Sequence, residues 1–163
     1  MNTNLAAAGG VVATILLSLF LTKKIDVTMV INGAIAGLVA ITAEPADPSG
    51  GQAIIIGAAG GALVYYSILF FDKVLKLDDP VGAISAHGIV GILGVMVVPF
   101  TDGDATFLWQ FYGVVAIAGF TFFTSLVAIL VINKVFTIRA SDEEQDLGLD
   151  VTEIGIEAYP EFK

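Results

Sequence analysis

Cysteine is absent from this chain of 163 residues, which excludes a disulfide framework and any thiolate-held metal. Histidine and tryptophan occur once each, and one imidazole cannot by itself hold Zn²⁺, so no metal and no cofactor is expected. Charge is scarce: 14% of residues are charged against 56% apolar, with a mean hydropathy of +0.90. An ordinary soluble domain does not have that balance. Basic residues are the scarcer sign, seven against sixteen acids for a net charge of −9, so nucleic acid is not an expected partner. Residues 136–163 hold eight acids and two bases, which places most of the net charge in the last sixth of the chain.

What the chain does have is long apolar runs. A helix rising about 1.5 Å per residue crosses a hydrocarbon core of about 30 Å in roughly 20 residues. Five runs approach that length, at 5–22, 27–42, 53–71, 81–100 and 107–132. They lack the period-two alternation of a β-barrel strand and are rich in Gly, Ala and Leu. The predicted fold class is therefore all-α integral membrane, a polytopic bundle over residues 1–135 with an acidic tail over 136–163.

The breaks between runs alternate in their basic residues. Lys23 and Lys24 follow the first run, Lys73 and Lys76 the third, and Lys134 and Arg139 the fifth. Glu44 with Asp47, and Asp102 with Asp104, mark the other two breaks, which carry no Lys or Arg. The excess of Lys and Arg in cytoplasmic loops then predicts a multi-pass cell-membrane protein with its N-terminal end outside and its tail in the cytoplasm. A translocated start without a positive flank or cleavage pattern suggests that Met1 is an internal methionine of a longer polytopic chain or the start of a truncated copy, the alternative being a five-span protein with a translocated N-terminus. The fifth run exceeds the length needed to span, so tilt or projection into the cytoplasm is expected. In the tail, 141–146 reads as a turn or helix start with its acids at the positive dipole end. The more apolar stretch 147–162 reads as a segment that docks on the cytoplasmic face.

Small residues at helical spacing, Gly33 with Gly37 and Gly57 with Gly60 and Gly61, predict close helix packing. Asp79 and Pro80 read as the cap and first residue of the fourth helix. Asn32 fits either a contact with a neighbouring helix or a plain interfacial position. Phe107, Trp109 and Tyr112 fit an interfacial aromatic belt.

His87 is the residue that packing alone does not explain. Counted from Pro80 it lies about 10 Å into the fourth run, and an ionisable side chain at depth usually faces a cavity or a partner within the bundle. Ala83, Gly88, Gly91 and Gly94 surround it at short helical spacings, which leaves a narrow apolar space where a neutral imidazole can accept or relay a proton. Ser85 lies two residues before it, on the opposite side of a helix, so the two cannot pair as nucleophile and base. No enzyme is expected.

Four strings then carry a resemblance. NGAIAGLVAIT at 32–42 and DDPVGAISAHGIVGILG at 78–94, with NTNLAAAG at 2–9 and GLDVTEIGIEAY at 148–159, resemble signature stretches of the ammonium transporter (Amt/Mep/Rh) family, in the same order. The resemblance implies a fold of eleven transmembrane helices assembled as a homotrimer with one narrow hydrophobic pore per subunit. This chain would supply the last five helices and the tail. It implies that His87 matches the second of two paired pore histidines conducting ammonium or ammonia, with Ala83 and Ile84 near the pore wall. It also implies that Gly148, Leu149, Asp150 and Tyr159 belong to a regulatory tail, which in bacterial members meets a PII-type signalling protein. The first pore histidine, the phenylalanine gate and the outer aromatic site have no counterpart here. Ile154 and Ile156 replace residues polar in many members, and the loop 43–51 departs from the family pattern. The alternative is a membrane subunit without transport of its own that binds a full-length transporter.

Overall fold

The computed structural model describes residues 1–136, 138–158 and 160–161, and among them there is no strand. The helices are α1 (Asn2–Thr22), α2 (Val27–Ile41), α3 (Gly50–Phe70), α4 (Val90–Val97), α5 (Phe107–Val135) and α6 (Asp142–Leu147). Wider π-helical turns extend α3 through Phe71–Leu75, precede α4 over Ala83–Ile89 and follow α6 over Asp150–Ile154. A single 3₁₀ turn, Val98–Phe100, closes α4.

Four continuous helical segments are long and apolar enough to cross a membrane: Asn2–Thr22, Gly50–Leu75, Ala83–Phe100 and Phe107–Val135. The run at 27–42 folds as α2 of only 15 residues, about 22 Å long. Its start is fixed by Asp26, whose carboxylate accepts the N–H groups of Thr28 and Met29 at 2.9 and 3.2 Å. Asp26 thus satisfies two amides that the helix itself cannot. Ser49 and Gln52 form a reciprocal capping box at the start of α3, and Lys23 closes α1 in the left-handed region at φ 60°.

The chain divides into two compact units, Met1–Ala116 and Ile117–Lys163, with the division inside α5. In the first unit α1, α2 and α3 pack at backbone distance. A β-carbon on Gly57 would fall on the carbonyl oxygen of Ala6, one on Gly37 on that same oxygen, and one on Gly61 would stand 2.5 Å from the carbonyl of Gly10. Gly33 takes the side chain of Thr14 in the same way, and Gly60 lies against Ala36 and Ala40. In lipid such contacts are the main source of helix association, because apolar side chains gain little by leaving hydrocarbon. The core is accordingly built of small residues, Ala36, Ala40 and Ala86 with Val64 and Val90.

In the second unit Ser141 and Glu144 form another capping box, so the acidic string 142–144 begins α6, where the helix dipole favours it. None of the 29 residues of α5 is buried.

Candidate functional site

The segment bearing His87 starts later than its sequence suggests. Residues 79–82 form a β-turn closed by Gly82 N–H donating to the Asp79 carbonyl at 3.0 Å. Pro80 sits in that turn instead of the first helical position, and the helix begins at Ala83. Asp79 still caps it, across the turn: its two carboxylate oxygens accept the N–H groups of Ile84 and Ser85, each at 2.9 Å. Partial desolvation pushes the Asp79 carboxyl up, but these amide hydrogen bonds outweigh it and hold the group below its usual value. His87, four residues past Ala83, is therefore only about 6 Å from the helix start, not 10 Å.

Gly82 is required twice over. Its φ is +68°, and a β-carbon there would overlap Oδ1 of Asn32. Asn32 donates its side-chain amide to the Thr28 carbonyl of its own helix at 3.0 Å, while Oδ1 is buried without a hydrogen-bond partner. Asn32 thus hydrogen-bonds its own helix and no backbone group of a neighbouring one, while its oxygen packs against the turn at Gly82.

The π-helical turn sorts its side chains into two faces. Ser85 and Ala86 are fully buried, as is Val90 one turn on, and Gly94 lies against the carbonyls of Val39 and Ala40. The opposite face is exposed and carries His87 with Ala83, Ile84 and Gly88. A β-carbon on Gly88 would meet nothing within 4 Å, and one on Gly91 only the Val39 side chain at 3.9 Å. Ser85 and His87 point to different faces. The His87 imidazole makes no hydrogen bond among the described residues. An imidazole on an apolar face inside a spanning segment carries a desolvation cost unless a polar partner reaches it, so this face suits a small polar species or a side chain from another segment.

The tail residues cluster locally. Asp150 accepts Ala158 N–H at 2.8 Å and its neighbour Val151 N–H at 2.9 Å, which holds its carboxyl below the usual value. Gly148 adopts φ +95°, and a β-carbon there would stand 2.6 Å from Asp150 Oδ1. Leu149 is exposed between them. Tyr159 lies outside the described residues.

Sequence reasoning missed the approach of Glu44, Asp47 and Asp102, whose carboxylate oxygens lie within 4.8 Å of one another. The shared sign of their two breaks was the available signal. Glu44 and Asp102 are half-buried and Asp47 is exposed; three carboxylates are the donor set of a hard cation, and they equally make an ordinary acidic surface.

The fold and this face define a polytopic helical membrane protein with a lone imidazole on the open side of a spanning segment. The profile of the Ammonium Transporter Family matches residues 1–159, and the chain belongs to that family. It is 36% identical over 99% of its length to ammonium transporter Amt2 of Archaeoglobus fulgidus, and 34% identical over 98% to the ammonium transporter of Bacillus subtilis. It covers 38% and 43% of those two proteins, and so spans about two-fifths of the relatives it matches. Among solved structures a "Sensor Amt Protein" superposes with a TM-score of 0.84 at 32% identity, over 93% of this chain and 40% of that one.

Proposed function

We propose that this chain is the C-terminal part of an ammonium transporter of eleven helices, and that His87 belongs to its conduction path. The observation that carries the reading is the exposed face of Ala83–Ile89. A polar ring without a hydrogen bond stands there beside Ala83 and Ile84, while Ser85 and Ala86 anchor the segment from behind. An ammonium ion entering a dry pore must shed water or a proton, and an imidazole offers the polar path that an apolar wall lacks. The relatives are named as transporters, which supports transport over catalysis.

The same reading places the Lys-bearing ends of α1 and α3 in the cytoplasm, and assembles the complete protein as a homotrimer. It gives Gly148, Leu149, Asp150 and Tyr159 to a tail that docks on the cytoplasmic face and meets a PII-type protein in bacterial members. It divides the chain functionally at residue 135.

The test is ammonium uptake by the full-length protein carrying His87→Ala. Altered rate or selectivity at unchanged expression is expected, and unchanged uptake overturns the role of His87. Co-purification of this chain with a full-length transporter, without transport of its own, favours the partner-subunit reading.

A further inference from the structure

Asn32 is a polar residue in an apolar helix, and packing alone does not account for it. Its side-chain amide is tied back to the Thr28 carbonyl, which leaves Oδ1 aimed at the turn before the histidine segment. That oxygen is buried and has no hydrogen-bond partner among the described residues. A buried acceptor without a partner is destabilising and calls for a reason beyond filling space.

What the oxygen meets is Gly82. Only a hydrogen on the Gly82 α-carbon stands where a β-carbon would collide, a weak C–H···O contact, so the oxygen acts mainly as a stop. Gly82 is where the segment begins. Its carbonyl accepts the first helical hydrogen bond, from Ala86 N–H at 2.6 Å, and His87 follows five residues later.

The far end of the segment is set less firmly, because the Val90 amide is shared between the His87 and Ser85 carbonyls. The imidazole has no hydrogen bond to orient it among the described residues, and beside it Gly88 faces open space. The ring therefore takes its height and direction from the backbone, and the backbone takes them from the entrance. Asp79 holds that entrance from within the turn, through the Ile84 and Ser85 amides. Asn32 holds it from α2.

We propose that Asn32 is a positioning residue for His87. Its side-chain oxygen sets how closely the turn at Gly82 approaches α2, and through the backbone it sets where the imidazole stands on the open face. The proposal rests on the conduction role of His87 given above.

His87 is the only histidine in the chain, so its ring proton resonances report its placement without reference to transport. The full chain is prepared in detergent as wild type, Asn32→Ala and Asn32→Leu, the last filling the space that alanine leaves. Both variants are expected to move the ring resonances while the unfolding midpoint stays unchanged or rises, since the unpartnered oxygen is gone. In the full-length protein both should lower ammonium uptake about tenfold at unchanged expression, because a displacement of about 1 Å at a working group can cost roughly a hundredfold. Unmoved ring resonances in both variants overturn the positioning role, and so does unchanged uptake. A lowered unfolding midpoint in both variants makes Asn32 a packing residue and overturns it as well. Unchanged uptake in His87→Ala strikes the conduction reading, while the resonances still decide whether Asn32 sets the ring.

Discussion

The side-chain oxygen of Asn32 lies against the α-carbon of Gly82, so that a single added methyl at residue 82 would occupy the place of that oxygen. This contact joins α2 to the turn that launches the histidine segment. It ties a residue in the middle of one apolar run to the entrance of another, fifty positions along the chain.

Gly82→Ala is expected to destabilise the protein by about 2 kcal/mol or more, combining left-handed strain with overlap. Adding Asn32→Ala should relieve the overlap alone and leave about 1 kcal/mol of backbone strain. Thermal unfolding of the single and double variants in detergent separates the two contributions. Full recovery in the double variant would contradict the strain at φ +68°.

Asp79→Asn weakens the cap on Ile84 and Ser85 and should cost about 1 kcal/mol at neutral pH. Because the folded carboxyl sits below its usual value of 3.8, the native state favours the charged form. The contribution is thus complete above the usual carboxylate range and is lost as pH falls through the depressed folded value. Stability followed by circular dichroism from pH 6 downward should fall more steeply in the wild type than in the variant.

Gly57 and Gly88 make a matched pair of opposite expectation. Gly57→Ala drives a methyl into the Ala6 carbonyl and should cost about 1–3 kcal/mol as α1 and α3 separate. At Gly88, where a β-carbon meets nothing within 4 Å, alanine should be neutral for folding of this chain. A Gly88→Ala variant that folds normally but loses ammonium uptake in the full-length protein would support a narrow path in front of His87.

Asp150→Ala should release the Ala158 amide, which Asp150 Oδ2 holds at 2.8 Å. Hydrogen exchange at that amide should accelerate in the variant. In the wild type it should accelerate only as pH falls through the lowered Asp150 value, after correction for the intrinsic exchange rate.

The sequence by itself determined where the helices lie. Hydrocarbon demands long runs without charge, and the runs at 5–22, 53–71 and 107–132 reappear as α1, α3 and α5 with ends shifted by a few residues. It also marked Gly33, Gly37, Gly57, Gly60 and Gly61 as packing positions, since small residues at helical spacing have few other uses in lipid. Tertiary structure decided the rest. That Asn32 seats Gly82 depends on a contact between positions fifty apart, and the turn that moves the Asp79 cap onto Ile84 and Ser85 is set by hydrogen bonds; local apolar periodicity encodes neither. The face taken by His87 was settled in the same way. Ser85, Ala86 and Val90 are drawn in against α2 and α3, and the imidazole is left on the side those helices do not cover.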